Sequence, residues 1–178
     1  MEQLKASKEA DAISDVWTKA LTSPPVVDGI NALSNHYLPP VKSAIDLLYG
    51  LLCFLGMDAS AYLDICGDIS WTKMRTDGLS DLVLNIKTYK HTDDECATYS
   101  DSTFKAYIES TGLSDPSILP PSLPVLPMLL TWVQKMMTSR EARIVYVAAK
   151  AEADAAAEEA RLAAEAEAAA AAEAAVEE

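Results

Sequence analysis

With 178 residues, half of them apolar, the chain has room for one domain of ordinary size plus a tail. Its 14 Lys and Arg against 27 Asp and Glu leave a formal charge of −13. That balance argues against nucleic acid as a partner, because neutralising phosphates takes a basic face. More than half of the acid excess lies in residues 141–178, which carry 3 basic and 10 acidic groups, net −7. The polar, mixed-charge start "MEQLKASKEADAIS" is neither a secretory signal nor an acid-poor transit peptide. The most apolar stretch, Ala44 to Met57, contains Asp46 and is too short to cross a bilayer core of about 30 Å. Cys53, Cys66 and Cys96 form no CxxC pair, which fits free thiols in a reducing compartment. Together these features predict a soluble intracellular protein with no membrane partner.

In chain order, residues 2–21 read as a helix with Leu4, Ile13, Val16, Trp17 and Leu21 on a loose apolar face, stopped by Ser23-Pro24-Pro25. Two or three helical turns fit between Asp28 and His36, before Tyr37-Leu38-Pro39-Pro40 breaks the chain again. From Val41 to Leu55 apolar side chains recur at three-and-four spacing. Leu47, Leu51 and Phe54 widen that stripe until the helix is apolar nearly all round, as the centre of a bundle requires. Gly56 suits a left-handed helix end. Short helices are expected around 59–66 and 71–75, a firmer one from Leu82 to Tyr89, and another around Phe104, Tyr107 and Ile108 ending at Gly112. The "HTDDECATYSDST" segment reads as a solvated loop. Between Ser114 and Pro127, five prolines and three serines forbid regular structure. Ile118, Leu119, Leu123, Val125 and Leu126 there should nevertheless be covered by the core. A helix opens at Leu129, and from Ser139 to the end Ala and Glu dominate without Gly or Pro, giving near-maximal helix propensity. Large apolar residues almost vanish beyond Val147, so this arm lacks a coiled-coil seam. The fold class is all-α: a small helical bundle with a long C-terminal Ala/Glu-rich helix. Its parts are an N-terminal segment 1–38, a head 39–140 and the helix 141–178.

Patterns that carry catalysis are missing. His36 and His91 stand apart in polar stretches, and His36 reads as a turn residue. No GxxxxGK[ST] or GxGxxG loop is present, so no nucleotide cofactor is expected. The acidic run Asp93-Asp94-Glu95 with Asp101 lacks the turn glycine and closing glutamate of a calcium loop, so no metal is expected either. Trp71 and Trp132 sit in apolar helical contexts and read as core.

Several landmarks follow one another in a distinctive order. Ile30 and Leu33 close a descending helix, and Pro39-Pro40 opens the dense helix after it. Trp71 precedes Lys73 and Met74, and "DLVLNIKTYK" ends in a lysine-and-tyrosine run. Trp132-Val133 lies in a last helix that runs on to Lys150-Ala151-Glu152. Over about residues 28–155 this order resembles the head of the dynein heavy-chain stalk, its microtubule-binding domain. The resemblance implies a helical head on a short antiparallel coiled-coil stalk, with no motor and no enzymatic activity. It also implies binding to tubulin or another cytoskeletal protein in the cytoplasm, on microtubules of a cilium or a related array. By position it points to Lys42 in the first head helix and to Lys135, Arg140 and Arg143 near the last, with Lys87 and Lys90 nearby. Two departures stand out: Pro24-Pro25 interrupts the descending stalk, and residues 31–140 keep 8 basic against 12 acidic groups where an acidic lattice calls for a basic face. A second function therefore stays open beside the first: a helical scaffold subunit of another assembly, whose head binds proteins other than tubulin. In either case the C-terminal helix serves as a strut or a partner-binding arm.

Overall fold

The computed structural model describes residues 2–89, 104–113 and 115–174. Lys90, His91, Asp93, Asp94, Glu95, Cys96 and Asp101, on which several of the expectations above fall, lie outside the described residues. The architecture is all-α. Helices α1 (Glu2–Leu21), α2 (Pro24–Ser34) and α3 (Lys42–Phe54) are followed by a 3₁₀ turn at Ala59–Tyr62. A short α4 (Trp71–Lys73) then continues into a π turn at Met74–Gly78, and α5 (Leu82–Thr88) and α6 (104–111) complete the head. A 3₁₀ turn at Pro116–Ile118 leads to α7, a single helix from Val125 to Ala174.

The dense apolar segment is the central helix of the head. Along α3, Ala44, Leu47, Leu48, Leu51, Leu52 and Phe54 are all buried, and Gly56 closes it with φ of +80°. Gly50 is required on this helix. A Cβ there would come within 2.9 Å of the Tyr107 ring, so α6 packs directly on its backbone. At the far end of α3, Phe54 meets Tyr89, Phe104 and Trp132 at centroid distances of 5.1, 5.5 and 6.0 Å. These tilted and edge-on contacts suit aromatic quadrupoles and join α3, α5, α6 and α7 in one cluster.

Three sequence expectations need correcting. Pro24-Pro25 begins α2 rather than merely stopping α1, because the first turn of a helix has no use for the missing amide hydrogens. In the same way α7 starts at Val125, with Pro127 in its first turn, and runs unbroken through Ser139. The 140/141 boundary between head and tail thus falls inside one helix, about 75 Å long at 1.5 Å per residue. The third correction concerns α1, whose face on the bundle is only partly the apolar one: Leu21 is buried and Trp17 packs on the core, but Ile13 and Val16 do not. Thr18 accepts the Trp132 indole N–H at 2.9 Å, and Asp11 accepts the Ser139 hydroxyl at 2.7 Å. Seven residues down α1 correspond to seven residues up α7, so the two helices run antiparallel with heptad spacing. Ser7, Asp11, Thr18 and Leu21 therefore face the bundle, whereas Ile13 and Val16 point to solvent. Polar side chains hold this seam because the Trp132 and Ser139 donors of α7 find acceptors on α1.

Candidate protein-interaction surface

The six cations singled out by the resemblance have different fates. Arg140 is only 2% exposed. Its guanidinium lies 5.8 Å from the Phe54 ring centroid and 5.4 Å from that of Tyr89, within cation–π reach of both. It is an interior residue and cannot form part of a docking surface, because the aromatic cluster closes over it. Arg143 is half-buried, one turn past Ser139 along the α1 seam. Lys42, Lys87 and Lys135 are exposed on three different helices, and Lys90 lies outside the described residues. Lys42 is tied to the buried carboxylate of Asp46 at 2.7 Å. It begins α3, whereas Phe54, beside Arg140, ends it. Twelve residues of helix, about 18 Å, therefore separate Lys42 from the Arg140 end of the head. Lys42 and the α7 cations do not form one basic patch.

A different surface is built at the end of the head opposite the Ala/Glu helix. A Cβ at Gly29 of α2 would lie 3.6 Å from the side chain of Val125, the first residue of α7, which places α2 beside this end. Tyr37 and Leu38, 84% and 72% exposed, project from the loop between α2 and α3, followed by Pro39, Pro40 and the exposed Val41. Ile118 joins them from the proline-rich segment. It is exposed rather than covered as expected, and its carbonyl accepts the Ser43 hydroxyl at 3.3 Å. The other four apolar residues of that segment behave as predicted: Leu119, Val125 and Leu126 are buried and Leu123 is packed against the core.

The backbone beneath these side chains is fixed from below. Trp71, buried as expected, donates its indole N–H to the His36 carbonyl at 3.0 Å, and the His36 ring Nδ1 lies 2.9 Å from the Leu38 carbonyl. Arg75 sits 4.8 Å from the centroid of the Tyr37 ring and donates to the Ser34 carbonyl at 3.4 Å. Lys73 donates to the Leu63 carbonyl at 2.6 Å, anchoring the turn 64–68 next to Trp71. Among the cations at this end Lys42 is paired with Asp46, whereas Lys73 and Arg75 hold neutral carbonyls and a ring and keep their charge. The carboxylates of Asp28, Asp64, Asp68 and Asp115 are all exposed. Hydrogen bonding from Ser117 holds the Asp115 carboxyl below the usual carboxylate range, so it is charged at neutral pH.

Nothing in the composition marks Tyr37, Leu38, Val41 and Ile118 as a site. The available signal was Tyr37-Leu38 before Pro39-Pro40, with no helical periodicity to bury them; Val41, expected on the buried stripe of α3, is exposed because it precedes the first turn of that helix. Among the described residues, no group of three or more His, Cys, Asp or Glu is placed to hold a metal ion, and no helix is long and apolar enough to cross a membrane. No protein family, curated protein or solved structure matches this chain.

Proposed function

We propose that this chain is a non-catalytic helical scaffold subunit whose head binds a protein other than tubulin, displayed at the end of a helical strut. The observation that carries this reading is the exposed apolar tip with exposed carboxylates around it, at the opposite end of the bundle from the free part of α7. An acidic lattice would be repelled by such a tip, whereas a protein surface with apolar anchors would not. A specific observation favours the microtubule-binding, dynein-stalk-like reading as the runner-up: α1 does pair antiparallel with α7 below the head, as a short stalk would.

Co-sedimentation with microtubules across a salt series separates the two. The scaffold reading expects the protein to stay in the supernatant even at low salt, and a photo-crosslinker at Leu38 to capture a non-tubulin protein that one at Arg161 does not. Salt-sensitive pelleting abolished by Lys42→Glu with Lys135→Glu would overturn it in favour of the stalk-like reading.

A further inference from the structure

We infer that the head's tip is a docking site for an apolar segment flanked by basic side chains on a partner protein; this rests on the scaffold reading above and specifies its partner. Three observations converge. Tyr37, Leu38, Val41 and Ile118 present large apolar area to water from two chain segments tied together by the Ser43–Ile118 hydrogen bond. Large apolar side chains left in water beside polar groups are what an interface core looks like before its partner arrives. Tyr is moreover among the residue types that dominate binding hot spots.

The second observation is preorganisation. The loop carrying Tyr37 and Leu38 is pinned at His36 by Trp71, at Ser34 and the Tyr37 ring by Arg75, and at its far side by two consecutive prolines. A loop already ordered loses little further entropy on binding.

The third is charge, which selects the occupant. Lys42 is paired with Asp46, and the remaining charges of Lys73 and Arg75 are outnumbered by the exposed carboxylates of Asp28, Asp64, Asp68 and Asp115, so the end is acidic on balance. Basic residues flanking the incoming apolar side chains would meet complementary potential, and acidic ones would be repelled. The same rule disfavours this chain as its own occupant. The Ala/Glu helix is acidic and has Leu162 as its one large apolar residue between Val147 and Val176, and two tips face to face would oppose like charges.

The test uses the full chain as bait for a displayed library of random 16-residue peptides. Each selected peptide is then measured by fluorescence anisotropy against the wild type, Tyr37→Ser/Leu38→Ser and, from the other segment, Ile118→Ser. These side chains are exposed, so circular dichroism of all three proteins should coincide. The expected peptides combine two or three large apolar residues with flanking Lys or Arg. They should bind at least about tenfold more weakly to the double variant and lose affinity as salt rises. Binders that depend on Tyr37 and Leu38 but are acidic or uncharged would overturn the partner's chemistry and leave the protein-binding head standing. Binders indifferent to all three substitutions, or no binders, would overturn the surface itself. Concentration-dependent self-association lost in the double variant would make a second copy the occupant and overturn the proposal.

Discussion

Replacing Arg140 by methionine and by glutamate separates what its side chain does as bulk from what it does as charge. Methionine keeps an unbranched stem beside Phe54 and Tyr89 and forfeits the ring contacts, so a loss of about 1–2 kcal/mol is expected. Glutamate places a carboxylate against two ring faces in the interior, and the expected loss is about 3–5 kcal/mol, enough to unfold a marginal head. Urea denaturation of the two variants checks this, and near-equal midpoints close to wild type would place Arg140 at the surface after all. The same residue shows where charge read along a chain misleads. Arg140 follows Lys135 by five positions and looks like its companion in a basic stripe. Helical geometry nevertheless turns it inward, where an aromatic cluster assembled from α3, α5, α6 and α7 receives it. The partners of that cluster are distant in sequence, and no local pattern announces them.

At the scale of elements, what could be read from the chain tracks how strongly burial stamps a period on it. Helix α3 was legible almost to the residue, because every turn contributes a side chain to the core. Gly56 and Gly112, predicted as helix ends, both take positive φ. Helix α1 was legible as a helix but not in its orientation. Its bundle-facing seam consists largely of Ser7, Asp11 and Thr18, which hydropathy assigns to solvent, while Ile13 and Val16 are left outside. The prolines misled in a consistent way, since both Pro24-Pro25 and Pro127 occupy first turns, where a proline starts a helix as readily as it ends one. The far part of α7 follows its composition. Residues 150–166 are exposed throughout, held by propensity and by pairs such as Arg161 with Glu158 at 2.6 Å and Glu165 at 3.5 Å. Truncation after Ala155 should therefore leave the head's melting temperature within about 2 °C of the full chain, as surface changes do. A fall of ten degrees or so in differential scanning calorimetry would mean that this arm packs on the head.

For the molecule as a whole, the net charge of −13 divides unevenly between an acidic arm and a head whose cations are largely committed to its own structure. That distribution was visible in the chain, but its consequence was not. Only the fold shows that Arg75 lies under Tyr37 and that the start of α3 meets the 116–118 turn through Ser43 and the Ile118 carbonyl. In the reading proposed above, the binding role falls to apolar side chains at that end, and the exposed part of the long helix lies at the other. Hydrogen exchange on the protein, free and saturated with a peptide selected on it, tests this most directly. Binding at the tip predicts slowed exchange in segments 35–44 and 116–123, and no change along residues 150–166. Protection confined to 150–166, with the tip unchanged, would contradict it.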